Sequence, residues 1–286
     1  MTVIFGSHIS ISKGLVKAID YANSLNCRIM QIFSQSPRGF KGVSKKNIDS
    51  IDKAKEKLKE HNMAIVSHSP YVINLSKDPQ NERYMADALV SDLEFINKLG
   101  GIGSVVHMGK HMKLTVGEAT SNMEINIKNI LKRYKGTSKL ILETSCGQGS
   151  EILHNIEDLG KFYKRFSAIE KKRIGFCIDT CHIFVAGYDI RSKSKVHNFF
   201  KLFDEHIGLD NVVLIHFNDS DRPHASNKDR HQDIGDGFIG NQSKEGDINA
   251  LKEVFKIAKD RGIPMTLETH DIEGDLKKVQ NWDEYK

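Results

Sequence analysis

The chain has 286 residues, 39% of them hydrophobic and 28% charged, with only five prolines, a composition that supports a sizeable core and excludes a disordered or fibrous protein. The formal charge of +5 and sequence pI of 8.8 admit an acidic partner such as nucleic acid without requiring one. No apolar run reaches membrane-spanning length, the N-terminus is too polar by Ser7 for a secretory signal, and four cysteines make no disulfide framework in a chain this long. An intracellular protein, cytoplasmic or nuclear, with buried reduced thiols and no membrane association is expected.

Along the chain, short β-rich apolar runs alternate with stretches of helical spacing. The first run, 3–5, precedes an amphipathic face of Ile11, Leu15, Val16, Ile19, Ala22 and Leu25. Strands are predicted next at 28–33, 63–66 and 104–106. Between the last two, Met85, Leu89, Leu93, Ile96 and Leu99 mark a helix that stops at Gly100 and Gly101. A later helix opens with Thr115 and Glu118 at capping-box spacing. Further strands are predicted at 139–142, 174–178, 212–215 and 265–267. About eight strand and helix units without a linker favour one α/β domain over 1–286, a closed (β/α)8 TIM barrel in preference to an open doubly wound sheet.

His8, His68, His107, Glu143, Asp179, His216 and Glu268 all fall at or just beyond the C-terminal end of a predicted strand, where barrels place their chemistry. A single such residue is more often a satisfied structural group than a ligand. As a set, imidazoles and carboxylates gathered at one barrel end would be costly to bury unpaired, and divalent cations are the natural compensation. Asp179 with His182, and Asp229 with His231, extend the set. Mixed nitrogen and oxygen donors suit zinc, and also manganese or iron, better than magnesium or calcium. The number of donors exceeds one tetrahedral ion and points to a multinuclear centre of the kind that cleaves phosphoesters. The spacing of Cys177 and Cys181 is a weak zinc signal and receives no role. Gly147, Gly149, Gly235 and Gly237 read as tight turns. The lysine-rich stretches 41–46, 53–59 and 191–195 read as solvated faces before phosphate contacts. Nucleophile-elbow, phosphate-loop and dinucleotide-loop patterns are absent from the sequence.

At these residues the sequence resembles the endonuclease IV family of abasic-site endonucleases. The resemblance rests on GSHIS at 6–10, HSPYVINL at 68–75, ETSCGQG at 143–149, GFCIDTCH at 175–182, AGYD at 186–189, HFND at 216–219 and DRH at 229–231. It implies a barrel carrying three zinc ions: His68 and His107 on the first; Asp179, His216 and Glu268 on the second, with Glu143 bridging; and His182, Asp229 and His231 on the third. It further implies Glu143 and Glu268 as the catalytic carboxylates, Arg38 and Tyr71 as DNA contacts, and a monomer acting on double-stranded DNA that contains abasic sites. The implied reaction is base excision repair incision 5′ to the abasic site, leaving a 3′-hydroxyl and a 5′-deoxyribose phosphate, with removal of 3′-blocking groups. The chain departs from the family at Asp221 and Ala225, where lysine and glycine are usual, at Cys146 for alanine, and at Phe40 and Val72 for tryptophan and leucine. Two rivals are a metal-dependent sugar isomerase or epimerase on a similar barrel and a non-catalytic lesion-binding protein. The Asp229/His231 cluster and Arg38 count against the former.

Overall fold

The computed structural model describes residues 4–81 and 83–284. Eight parallel strands, β1 (Phe5–His8), β2 (Ile29–Phe33), β3 (Ala64–His68), β4 (Gly103–Val106), β5 (Lys139–Glu143), β6 (Ile174–Asp179), β7 (Val212–His216) and β10 (Met265–Leu267), close into one barrel in chain order, the last pairing with the first. Between β7 and β10 a two-stranded antiparallel ribbon stands off the barrel, formed by β8 (Asp219–Ser220) and β9 (His231–Gln232). Helices α1 (Leu15–Ser24), α2 (Lys45–Asp49), α3 (Ile51–Glu60), α4 (Arg83–Lys98), α5 (Val116–Arg133), α6 (Ile156–Tyr163), α7 (Ala168–Lys171), α8 (Thr180–Val185), α9 (Lys193–His206), α10 (Ile248–Arg261) and α11 (Ile272–Glu284) connect the strands.

Sequence and structure agree on the barrel. Of the predicted first strand only Phe5 lies in β1; Val3 is outside the described residues. The expected strand ends at 66, 142, 178 and 215 fall short, because the ladder continues to His68, Glu143, Asp179 and His216. Phe33 pairs with His68, and Asp179 with His216, so those polar residues are still sheet. The expected capping box forms at Thr115 and Glu118. The β8–β9 ribbon was not foreseen, since two-residue strands carry no periodicity to read.

Two layers of core position the site. The helices bury Leu15, Ile19, Leu89, Leu93, Ile96, Ile127 and Phe203, among others, against the outside of the barrel. Inside it, Ile29, Val66, Val105, Ile141, Cys177 and Leu214 form a separate apolar plug, one residue from each of β2 to β7. Side chains two apart on a strand share a face. The residues two further along are therefore Gln31, His68, His107, Glu143, Asp179 and His216, which stand on top of the plug. His8 and Glu268 complete this ring from β1 and the end of β10. The parity that fills the barrel floor with aliphatic side chains also aims one polar group per strand into its mouth.

Candidate metal centre

Glu143 is the hub of the ring, and it is almost completely buried (1% exposed). Its Oε2 lies 3.4 Å from His68 Nε2 and 3.5 Å from His107 Nε2. Its Oε1 lies 2.8 Å from His216 Nδ1 and 3.4 Å from His182 Nδ1. The two oxygens thus face two different sets of side chains. On the second side, His216 Nδ1 also approaches Glu268 Oε2 at 3.2 Å and Asp179 Oδ2 at 3.7 Å. A third set forms where the ribbon meets α8: His182 Nε2 lies 3.2 Å from Asp229 Oδ2, and His231 Nε2 lies 3.3 Å from Asp229 Oδ1. In each of the groups His68/His107/Glu143, Glu143/Asp179/His216/Glu268 and His182/Asp229/His231, donor atoms fall within 4.8 Å of one another. Together these are the nine expected ligand positions, and the structure brings all nine into one cluster.

Hydrogen bonds set which nitrogen each imidazole offers. His68 Nδ1 faces the Ser69 carbonyl at 2.7 Å, and His182 Nδ1 faces the Thr144 carbonyl at 2.9 Å. Both must carry hydrogen at Nδ1, which leaves Nε2 aimed into the site. His216 is turned the other way: its Nε2 faces Gln31 Oε1 at 2.8 Å, so Nδ1 is the inward atom. Gln31 then donates through Nε2 to Glu268 Oε1 at 2.6 Å and lies 3.1 Å from His8 Nδ1. Asn218 donates to Asp179 Oδ2 at 2.8 Å and accepts from the Glu268 amide at 2.9 Å. Asp179 Oδ1 caps α8 by accepting from the His182 amide at 2.8 Å, which fixes both cluster members at the start of one helix. Gln148 Oε1 accepts from the Asp229 amide at 3.1 Å. Outer partners of this kind orient ligating groups and raise their basicity.

Burial works against charge in this pocket, and the facing groups overturn it. Desolvation would raise the Glu143 and Glu268 carboxyls, but the surrounding imidazoles, His107 and His216 foremost at Glu143, hold both well below the ordinary range. Desolvation would likewise lower His182 and His216, but Asp179 and Asp229 hold His182 well above it, and the Cys177 sulfur, then Glu268 and Glu143, hold His216 well above it. Both nitrogens of His216 face oxygens, so without a cation the ring carries two protons. The proton on Nδ1 stands where a cation would. Three nearly inaccessible atoms, Glu143 Oε2, His182 Nε2 and His231 Nε2, face oppositely charged groups at 3.2–3.5 Å without forming a well-aligned hydrogen bond. Leaving such atoms unsatisfied costs about 1–3 kcal/mol each, so the donor set fits divalent cations.

The remaining candidates are placed differently. Tyr71 covers the cavity, its ring 5.5 Å from that of His68 and 5.7 Å from that of His107. Burial, then the nearby carboxylates, raise its phenol, which stays protonated as a hydrogen-bond donor. Arg38 is exposed and does not line the metal cavity; it follows Pro37, whose carbonyl accepts from the Tyr71 amide. Buried Asp92 on α4 accepts from Ser34 Oγ and Gln35 Nε2, anchoring the same loop from below. His8 borders the cluster beside Glu268, with a neutral ring because burial lowers its pKa. All four cysteines are free and buried. Burial pushes the Cys146 and Cys177 thiols up to about 12, which leaves them protonated. Arg191 and Lys195 are held by Asp189, at 2.9 and 2.6 Å. The Asp221 and Ala225 departures leave the ribbon intact, since the Asp221 amide still donates to the Arg230 carbonyl.

Gln31 and Asn218 carry no titratable group and stand outside the set expected from the sequence. Gln31 had a signal, because it occupies the same parity on β2 as the candidate ligands do on their strands. The cavity over this cluster measures about 380 Å³. A larger hollow of about 1100 Å³, lined by Arg28, Lys55, Lys59, Asp52 and Glu56, opens at the opposite barrel end. It gathers no imidazoles and lies where barrels do not place catalysis.

A family model described as xylose isomerase-like TIM barrel matches residues 19–284. A relative from Acanthamoeba polyphaga mimivirus that carries the name endonuclease 4 is 38% identical over 276 residues, covering 94% of this chain and 86% of its own. Among solved structures, endonuclease IV from Thermus thermophilus superposes with a TM-score of 0.79 at 24% identity, over 99% of both chains. A D-tagatose 3-epimerase-like protein follows with a TM-score of 0.70 at 19% identity, over 98% of this chain and 96% of the other. At those identities the two structures speak for the shared barrel alone.

Proposed function

Because the chain belongs to the endonuclease IV family, a group of DNA-cleaving hydrolases, we propose that it incises DNA 5′ to abasic sites and leaves a 3′-hydroxyl and a 5′-deoxyribose phosphate. The whole barrel works as one catalytic domain, a monomer on double-stranded DNA, and the same site clears 3′-blocking groups. The observation that carries the reading is Glu143, whose two carboxylate oxygens face two separate ligand sets while Asp229 and His231 complete a third. Three zinc ions are the cofactor: the first on His68 and His107, the second on Asp179, His216 and Glu268 with Glu143 shared, the third on His182, Asp229 and His231. Bound there, zinc supplies Lewis-acid polarisation of water and of the scissile phosphate at neutral pH.

The protein's own groups provide the rest. Glu143 and Glu268, kept ionised by the imidazoles around them, stay available as acceptors at any physiological pH. Gln31 donates to the Glu268 carboxylate and Asn218 accepts from its backbone amide, so side chain and backbone are both held before substrate arrives. Tyr71, 58% exposed above the cluster, presents a neutral phenol to the substrate backbone, and Arg38 on the adjoining loop adds a fixed positive charge for phosphate. A sugar lacking its base is neither paired nor fully stacked, so turning it into this mouth costs less than extruding an intact nucleotide.

The test is metal analysis and an incision assay on one preparation, with a duplex carrying a single abasic site. Three zinc ions per chain and a nick on the 5′ side are expected. Glu268→Gln should fold normally and lose most incision; turnover near that of the parent removes Glu268 from the mechanism. The barrel is shared with an epimerase-like protein, and two metals with sugar turnover but no nicking would favour that chemistry instead.

A further inference from the structure

Asp219 lies outside the ligand set, yet it is fully buried and has an unusual environment. Its Oδ1 accepts from the amides of Ser220 at 2.7 Å and Ile239 at 2.9 Å. Its Oδ2 accepts from the amides of Gly235 at 3.0 Å, Gly240 at 3.1 Å and Gly237 at 3.2 Å. Five backbone donors from one excursion of chain therefore close around a single carboxylate. Glycine is required at two of these points, because a Cβ on Gly237 would sit 2.4 Å from Asp219 Oδ1 and one on Gly240 would sit 2.8 Å from Oδ2.

What this ring fixes is the far side of the ribbon. Asp219 opens β8 and pairs with Gln232, the residue after His231, while Ser220 pairs with His231 itself. The loop that wraps the carboxylate begins directly after β9. At Asp233 it is also tied to the amides of His270 and Asp271, just beyond Glu268. Asn218, the preceding residue, holds Asp179 and Glu268 directly. Adjacent residues of one tetrapeptide thus serve opposite halves of the centre.

We propose that Asp219 is a positioning residue for the third metal: its carboxylate, by gathering five backbone amides, holds the β8–β9 ribbon at the height that presents His231 and Asp229 to His182. The inference rests on the three-ion reading above. Asparagine cannot replace it, since the amide end would turn hydrogens toward N–H groups that need an acceptor.

The experiment is zinc stoichiometry at fixed buffered free zinc, read by elemental analysis, with circular dichroism as the check on fold. The parent should hold three ions, and His231→Ala, which removes a direct ligand, should hold two. Asp219→Asn should match His231→Ala, its third ion weakened roughly tenfold to a hundredfold, with native circular dichroism. If Asp219→Asn does not fold, Gly240→Ala decides, because it keeps the carboxylate but crowds its Oδ2, with Gly235 and Leu251 rather than ribbon backbone as the other near contacts: two ions support the inference, three overturn it. Three ions at parental affinity in a folded Asp219→Asn overturn it as well. Fewer than three in the parent overturn the three-ion reading and this inference with it, an outcome distinct from failure of the variant alone.

Discussion

Gln31→Leu is the sharpest test of how the centre is built, because Gln31 touches no proposed cation and yet bears on two proposed ligands. Its side chain is fully buried on β2, so water cannot substitute for it. The replacement removes the acceptor 2.8 Å from His216 Nε2, the donor 2.6 Å from Glu268 Oε1 and the contact 3.1 Å from His8 Nδ1. The His216 Nε2 hydrogen would then face a methyl group, an unsatisfied buried donor costing about 1–3 kcal/mol. The ring would be free to turn and its inward nitrogen less basic. Loss of such an outer partner typically weakens metal binding about 10–100-fold, or roughly 1.4–2.7 kcal/mol, which agrees with the cost of the stranded donor. Zinc titration against a competing chelator should show this loss at one site, and incision under limiting zinc should fall with it. Gln31→Glu should do no better, because it places a second carboxylate oxygen against Glu268. Parental zinc affinity and parental incision in Gln31→Leu would refute the reasoning.

Ala225 sits at φ 58°, in the left-handed region, and is exposed. Ala225→Gly should therefore raise stability by about 0.5–1 kcal/mol, read as a higher urea midpoint with an unchanged slope; no shift would mean that the ribbon loop relaxes the strain. In metal-free protein the pH dependence has two limbs. Glu143, Glu268 and Asp229 have depressed pKa values, so their contribution is present above the ordinary 4.5 and 3.8 and is lost as pH falls through the folded values. His182 and His216 have raised pKa values, so their contribution is full below 6.5 and is lost as pH rises through the folded values. The melting temperature of chelated protein should peak between these limits, and the gain on adding zinc should grow toward alkaline pH as protons cease to compete. A chelated protein whose melting temperature climbs steadily from pH 6 to 9 would contradict this.

The barrel and the strand-end members of the candidate ligand set were legible in the sequence for local reasons. Strand runs such as 139–142 and 174–178 are β-rich and apolar, and His68, Glu143, Asp179 and His216 stand two residues beyond the inward apolar side chains Val66, Ile141, Cys177 and Leu214, a parity set by pleat geometry alone. His68, Glu143, Asp179 and His216 could thus be picked out before any contact was known. Cooperation among them could not be read locally. Closure of β10 onto β1 decides that Glu268 meets Gln31 across 237 positions of sequence, and only folded geometry makes His216 offer Nδ1 where His68 and His182 offer Nε2. Gln31, Asn218 and Asp219 act through directional hydrogen bonds to distant partners; parity on β2 places Gln31 in the mouth, but nothing local says which atoms an amide or a lone aspartate will meet. The sequence determined which side chains face the barrel mouth, because that is a property of one strand at a time; the tertiary structure alone decided which atoms of those side chains meet, because that depends on how separate strands and loops are held against one another.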